Sequence, residues 1–270
     1  MMGPGTRFNF VAVLTLISRI PAWRSFVMNR LSLFSLCFML MTGGCARFVC
    51  PDETTLDESE PSVKSCTDTE GKKHGPWLFW HPHGTKGLAG EYNHGEREGM
   101  WKSWHANGNL KSEGNYKAGK THGLWRHWHE NGTLSIFANY RGGRLHGDHE
   151  EYYEDGQLKE KSAYLNAKKH GVHKEWYPNG KLALEATYAH HKLHGPSTTY
   201  FPNGNKETEV RFENQELQGE AYSWYEDGSR RSKLVYEEGK LNGLAEIWTP
   251  DEGKVCERYE QDKQVGTGCP

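Results

Sequence analysis

The chain has 270 residues, 12% of them aromatic, with 31 Gly and a net charge of −2. Abundant aromatic residues and glycines favour short strands joined by tight turns over a helical bundle. Residues 1–44 contain four Arg and no acidic residue, so the remaining chain has 29 basic and 35 acidic residues and a net charge of −6. Nucleic-acid binding needs a concentrated basic surface, so we expect no nucleic-acid partner.

The first 44 residues resemble an export signal. Met28-Asn29-Arg30 precedes an apolar run over residues 31–41, and small residues then lead to Cys45. This order is typical of a secretory signal peptide, and the apolar run is too short to span a bilayer comfortably. We therefore predict a signal peptide over residues 1–44. A complete signal begins at Met28. Residues 1–27 therefore either precede the true start codon or form a long basic n-region of the signal peptide.

Cys45 is the predicted anchor of the mature chain. It follows Thr42-Gly43-Gly44, an order that resembles a bacterial lipobox, in which the cysteine is lipidated and becomes the mature N-terminus. Thr42 departs from that pattern, since Leu is usual there, and ordinary secretion is the alternative. We predict a lipid-anchored protein of the bacterial cell envelope, at the outer membrane or the periplasmic face.

Residues 45–73 differ in composition from the rest of the chain. They are rich in Asp, Glu, Ser, Thr and Pro and contain few apolar residues to bury. A segment of that composition favours disorder. We predict a flexible acidic tether over residues 45–73.

From residue 74 to 270 the sequence repeats every 24 residues, which we number from the first glycine of each unit, the anchor glycine, as +0. Aromatic residues recur at +5 and +17, and a second glycine at +9. The anchor glycines are Gly75, Gly99, Gly123, Gly147, Gly171, Gly195, Gly219 and Gly243. Eight units in one register indicate a repeat protein rather than a globular domain.

Each unit predicts one β-hairpin. Asn or Asp usually precedes the +9 glycine, as in Asn131-Gly132, and this dipeptide favours a two-residue hairpin turn because both residues tolerate positive φ. The anchor glycine marks a second, looser turn. One hairpin alone is marginal, so the units must stack. We predict an all-β fold: an elongated, open, single-layer antiparallel meander of about eight stacked hairpins over residues 74–270, with a degenerate last unit.

The repeat resembles the bacterial branch of the MORN-repeat variant family over residues 71–268. The matching residues of the second unit are Gly99, Trp101, Trp104, Asn107, Gly108, Leu110, Tyr116 and Gly119. The resemblance implies an open, curved sheet that serves as a binding scaffold. The chain departs from the pattern at +2, where Trp is lost after the third unit, so we expect the apolar cover to thin toward the C-terminus. The replacements are His149, His173, Ser197, Ala221 and Ala245.

Four cysteines flank the regular units. Cys50 and Cys66 precede the first unit, whereas Cys256 and Cys269 lie in and after the last. An even number in an exported chain suggests disulfides, and the two pairs should lie a whole array apart. We predict disulfides Cys50–Cys66 and Cys256–Cys269. They would stabilise the terminal units, because each of these has only one neighbouring unit.

Histidines form a ladder one residue before the anchor glycine, but we predict no metal site and no cofactor. Neighbouring members should lie about 10 Å apart, too far to share an ion held at about 2 Å. Local pairs such as His81 with His83 lack a third ligand type at fixed spacing. The ladder consists of His74, His122, His146, His170 and His194.

The +6 column is the predicted binding face, because strand alternation places it opposite the +5 aromatic residues. Its members are His81, His105, His129, Tyr153, Tyr177 and Tyr225. The aromatic columns could also stack on sugar rings, although in so aliphatic-poor a sheet they are expected to form the apolar layer itself.

No catalytic residues are predicted. The sequence has no Gly-x-Ser-x-Gly elbow, no phosphate-binding glycine loop and no His-Glu-x-x-His motif. Three functions stay open: a non-enzymatic scaffold that binds an unknown protein partner, a binder of carbohydrate or peptidoglycan, and an antitoxin-like neutraliser. A lipid anchor suits the third function only if the toxin is met outside the cytoplasm.

Overall fold

The computed structural model of the chain describes residues 48–250 and 253–270, which carry 22 β-strands in one antiparallel sheet. No helix among these residues is long and apolar enough to cross a membrane. The predicted signal peptide and Cys45 lie outside the described residues. The strands are β1 (Thr55–Asp57), β2 (Val63–Thr67), β3 (Lys73–Trp80), β4 (Lys86–Asn93), β5 (Glu96–Trp104), β6 (Leu110–Lys117), β7 (Lys120–Trp128), β8 (Leu134–Arg141), β9 (Arg144–Tyr152), β10 (Leu158–Leu165), β11 (Lys168–Lys169), β12 (Gly171–Trp176), β13 (Leu182–Ala189), β14 (Lys192–Tyr200), β15 (Lys206–Glu213), β16 (Glu216–Leu217), β17 (Gly219–Trp224), β18 (Arg230–Glu237), β19 (Lys240–Leu241), β20 (Gly243–Thr249), β21 (Gly253–Glu260) and β22 (Lys263–Thr267).

The strands form a meander in which each pairs with the next along the chain. In the second unit, β5 pairs with β6 so that Gly99 faces Tyr116 and Trp101 faces Gly114. The short strands β11, β16 and β19 are the first parts of strands that are interrupted at the residue before the anchor glycine. The predicted open, single-layer array of hairpins is confirmed.

In the first seven units, the two turns have the opposite types to those predicted. At Asn107-Gly108 only Gly108 has positive φ, and its amide donates to the carbonyl of His105 at 2.9 Å. The amide of His105 donates to the carbonyl of Asn109 at 2.9 Å and so encloses a three-residue loop. This is a type I turn with a glycine bulge. The two-residue turn with two positive φ values is the other one, as at Ala118-Gly119. The Asn-Gly dipeptide predicted the place of the first turn but not its type.

The anchor glycine lies within a strand rather than in a turn. Gly99, for example, lies a few residues after a two-residue turn and has φ of 66°, and the pairing register shifts beside it between Ala89 and Glu91. The anchor is therefore a β-bulge that needs a residue tolerant of positive φ.

Part of the predicted tether is folded. Strands β1 and β2 extend the sheet beyond the first unit, with Ser65 paired to Trp77, and Cys66 is 1% exposed. The flexible tether predicted over residues 45–73 is therefore wrong for these strands. The edge of β3 offers unpaired backbone groups, and adding strands to it covers them. Composition alone does not reveal this neighbour.

Both predicted disulfides are confirmed. Cys50 bonds Cys66 and Cys256 bonds Cys269, across sequence separations of 16 and 13 residues. Each disulfide closes one end of the described array.

The two faces of the sheet differ in character. We call inner the face that carries the +2, +4, +15 and +17 side chains, where Trp101 is 1% exposed and its ring lies 5.1 Å from that of Tyr92. The outer face carries cross-strand ion pairs, such as Lys102 with Glu113 at 3.1 Å. A single-layer sheet thus buries apolar rings on one side and exposes charged pairs on the other.

The inner face is filled by pairs of complementary size. Each +2 side chain covers the +15 residue of the preceding unit, so a large residue at +2 requires a small one beneath it. In each pair below, the +15 residue is given first and the +2 residue that covers it second; Ser65, before the first unit, takes the place of a +15 residue. The pairs in chain order are Ser65 and Trp77, Gly90 and Trp101, Gly114 and Trp125, Ala138 and His149, Ser162 and His173, Ala186 and Ser197, Val210 and Ala221, and Leu234 and Ala245. The larger partner changes from +2 to +15 along the chain.

Replacing Gly114 by Ala tests this size rule. The new Cβ would lie 2.2 Å from Cδ2 of Trp125, so we expect a loss of about 1–3 kcal/mol from overpacking, measured as a lower urea midpoint. Gly266→Ala is the control, because the nearest atom to its new Cβ lies 3.9 Å away. Equal midpoints for the two variants would contradict the rule.

Removing the C-terminal disulfide tests whether it stabilises the last hairpin of the array. We expect Cys256→Ser with Cys269→Ser to cost the last hairpin about 3 kcal/mol through loop entropy. Hydrogen exchange should then speed up in β21 and β22 while the amides of β5 and β6 stay protected. Uniform loss of protection along the array would show that the disulfide acts globally instead.

Candidate binding site

An open groove of about 400 Å³ lies on the inner face, where the sixth, seventh and eighth units meet. Its floor is Ala221, which is 8% exposed. Half-buried apolar side chains form most of its walls, and Arg231 stands at its rim. The main wall residues are Val210, Leu217, Leu234, Tyr236 and Ile247. The volume falls in the range of ordinary ligand pockets.

The groove occupies the place that an indole ring fills in the N-terminal units. Trp125 stands at +2 of the third unit and covers Gly114, with its Nε1 donating to the carbonyl of Asn115 at 3.0 Å. In the seventh unit the +2 residue is Ala221, and Val210 lies where Gly114 lies. The apolar cover thus thins toward the C-terminus, but aliphatic +15 residues replace part of it and leave a walled groove.

The polar groups beside the groove are engaged with one another. Ser223 and Ser232 share a hydrogen bond of 2.6 Å, and the Arg231 guanidinium lies 5.8 Å from the ring centre of Tyr225. An occupant would therefore meet apolar walls, the hydrogen-bonded hydroxyls of Ser223 and Ser232, and the cation of Arg231 at the rim. This environment suits an aromatic or large aliphatic side chain.

The predicted +6 binding face forms a ladder between units. His105 Nε2 lies 2.9 Å from the carbonyl oxygen of Trp128, and the hydroxyl of Tyr177 donates to the carbonyl of Tyr200 at 2.7 Å. The other four members make the same bond to the next unit: His81, His129, Tyr153 and Tyr225. The polar atom that each would offer to a partner already holds two units together, so a partner face there stays a prediction.

A buried polar network occupies the middle of the inner face. His173 lies 2.7 Å from Ser162 Oγ and 2.8 Å from Glu175 Oε1, an order that resembles a nucleophile, base and acid. Ser162 is only 2% exposed and also donates to Glu160, so it is closed to a substrate. Burial acts to raise the pKa of Glu160, but the Ser162 hydrogen bond and the charge of Lys169 outweigh it and hold that pKa below its usual value. The network satisfies buried polar groups.

On the outer face, several +5 rings are covered by cations. The Lys86 ammonium lies 5.2 Å from the ring centre of Trp104, and Lys254 lies 5.5 Å from that of Trp248. A second depression of about 610 Å³ lies at the turn of the seventh unit, where it includes Trp248 and Tyr225 together with Asp227 and Arg230. It combines rings with charged hydrogen-bonding groups.

The groove was missed at the sequence level because the +15 column was not considered. Its signal is present in the sequence, since Gly90 and Gly114 give way to Val210 and Leu234 as Trp gives way to Ala at +2.

Comparison with protein-family models matches five consecutive segments to the MORN repeat variant: residues 97–118, 121–140, 145–166, 169–190 and 193–214. Over residues 97–214 the repeats are therefore similar to the MORN repeat variant. The matched MORN segments are the second to sixth units, each beginning about two residues before its anchor glycine. The first, seventh and eighth units share the hairpin and the anchor, and most of the groove lies beyond the matched segments. Comparison with curated proteins gave no match.

Filling the groove tests whether it accepts an indole. We expect tryptophanamide to bind the chain at about millimolar concentration and to shift the methyl signals of Leu234 and Ile247 in NMR spectra. The double variant Val210→Gly with Ala221→Trp recreates the N-terminal pair and should remove those shifts.

Val172→Trp is the control, because it adds an indole at a site that is 49% exposed in the wild type. Persistent shifts in the filled variant, or their loss in the control, would contradict the assignment.

Proposed function

We propose that the chain is a non-enzymatic scaffold of the bacterial cell envelope, tethered through Cys45, that binds a partner protein in the groove over Ala221. The main support for this proposal is the groove itself. It is the part of the inner face where the repeat units leave an open, mostly apolar space in the place that an indole ring fills in the N-terminal units. Aromatic anchors that enter such pockets contribute much of the affinity of many protein interfaces.

The proposed partner presents an aromatic or large aliphatic side chain from an exposed segment. Arg231 at the rim favours an acidic residue beside that anchor, because opposite charges guide encounter and fix register. The two disulfides suit an exported chain, since such bonds persist in oxidising compartments. A binding scaffold is also the role that the repeat architecture favours.

Binding of peptidoglycan is the second candidate, and the depression beside Trp248 favours it. Tyr225 and Trp248 could stack on sugar rings while Asp227 and Arg230 bond hydroxyl or carboxyl groups. The cations on Trp248 would first have to move aside. For this reason we place the protein partner first.

Site-specific crosslinking in intact cells tests the proposal. A photo-reactive residue at Thr208, which lines the groove, should capture a discrete partner, and the Val210→Gly with Ala221→Trp variant should lose it. The same residue at Lys174, which pairs with Glu185, serves as the position control. Cys45→Ala should release the chain from the membrane fraction.

Each part of the proposal can fail separately. Capture of the same partner from the groove-filled variant would exclude the groove, and retention of Cys45→Ala in the membrane would exclude the lipid anchor. Recovery of glycan fragments, with lower binding in Trp248→Ala, would favour the second candidate instead.

A further inference from the structure

Three metal-binding side chains from separate segments meet beside the first unit. Asp68 lies in the turn between β2 and β3, His74 lies in β3, and His94 lies in the turn between β4 and β5. One potential ligand atom from each lies within 4.8 Å of the other two. Among residues 48–250 and 253–270, this is the one such group of three His, Cys, Asp or Glu residues.

Backbone hydrogen bonds hold these side chains together. Asp68 Oδ1 accepts a bond from the amide of Lys72 at 2.8 Å, which leaves Oδ2 to contact His94 Nδ1 at 2.9 Å. The amide of Gly95 donates to the carbonyl of Lys73 at 2.8 Å and fixes the second turn beside β3. The two imidazole rings consequently lie with centres 4.4 Å apart. These bonds hold the turns that carry Asp68 and His94 beside β3, which brings the three side chains near one another.

We propose that Asp68, His74 and His94 bind a divalent transition-metal ion such as zinc. Two imidazoles and one carboxylate form a donor set that suits zinc and its neighbours, with a water or a partner group in the fourth position. Bonds of about 2.0–2.1 Å place tetrahedral ligand atoms about 3.3 Å apart. The side chain of His94 is 66% exposed, so it can turn to close the remaining distance.

The ion would tie the N-terminal cap to the first repeat. Asp68 belongs to the added strands, whereas His74 and His94 belong to the first hairpin, so one ion would link three segments of chain. Its position suits a brace, because the first unit lacks a preceding repeat to support it. Binding of the ion to the folded chain would stabilise this end by mass action.

The fifth unit supplies an internal control. His170 and His190 stand in the same relation as His74 and His94, with ring centres 5.6 Å apart. Lys169 pairs with Tyr164 there as Lys73 pairs with Thr67, so the residue in the place of Asp68 is Leu165. The fifth unit therefore has the two imidazoles without the carboxylate.

Zinc titration of the untagged full chain by calorimetry tests the site. We expect one ion per chain with a dissociation constant in the micromolar range, and at least tenfold weaker binding in His94→Asn. Asn suits the positive φ of 45° at this position, and Asn166 and Asn214 occupy the same position in other units. Asp68→Asn should weaken zinc binding similarly, and His190→Asn should leave it unchanged.

Bound Co²⁺ gives a second readout that does not rely on stability. Tetrahedral coordination should produce strong visible absorption in the wild type and in His190→Asn, and none in His94→Asn. Circular dichroism in the presence of chelator should show that all the variants are folded. Equal zinc affinity in wild type and His94→Asn, or loss of binding in His190→Asn alone, would overturn the proposal.

Discussion

A single-layer sheet has no second layer to cover it, and this constraint governs the structure. Its inner face must be filled by side chains from neighbouring units, so each +2 residue has to match the +15 residue that it covers. Trp101 fits because Gly90 has no Cβ, since an added Cβ would lie 2.2 Å from the indole. The rest of the array follows from repeating that fit in one register.

The register itself is maintained by bonds that cross from unit to unit. Asn107 Nδ2 donates to the carbonyl of Glu130 at 2.9 Å, and Gly119 N donates to that of Arg97 at 3.0 Å. Together with the +6 ladder, these bonds link neighbouring units at both ends of their strands. Side chains within a fixed backbone frame can then vary along the inner face from indole rings to a polar network to aliphatic walls.

The sequence predicted the features that depend on periodicity and chain geometry. The 24-residue period predicted the hairpins, and the distance between the array ends predicted both disulfides. The turn types could not be read in this way, because Ala118 and Glu238 adopt positive φ under the constraint of the pairing and not by preference. Nor could composition show that residues 55–57 and 63–67 would form strands, because the strand edge that orders them lies in another segment.

The same limits explain why both candidate sites were missed. The +15 column has no unusual residues, and only its relation to +2 reveals the groove above Ala221. The carboxylate of Asp68 was assigned to a tether and His94 lies outside the histidine ladder, so the sequence pattern did not connect His74 with either of the other two ligands. Regular positions build the frame in every unit, whereas these sites arise where one unit departs from the others. In this repeat protein, therefore, both proposed binding sites lie where residues break the pattern and not where they maintain it.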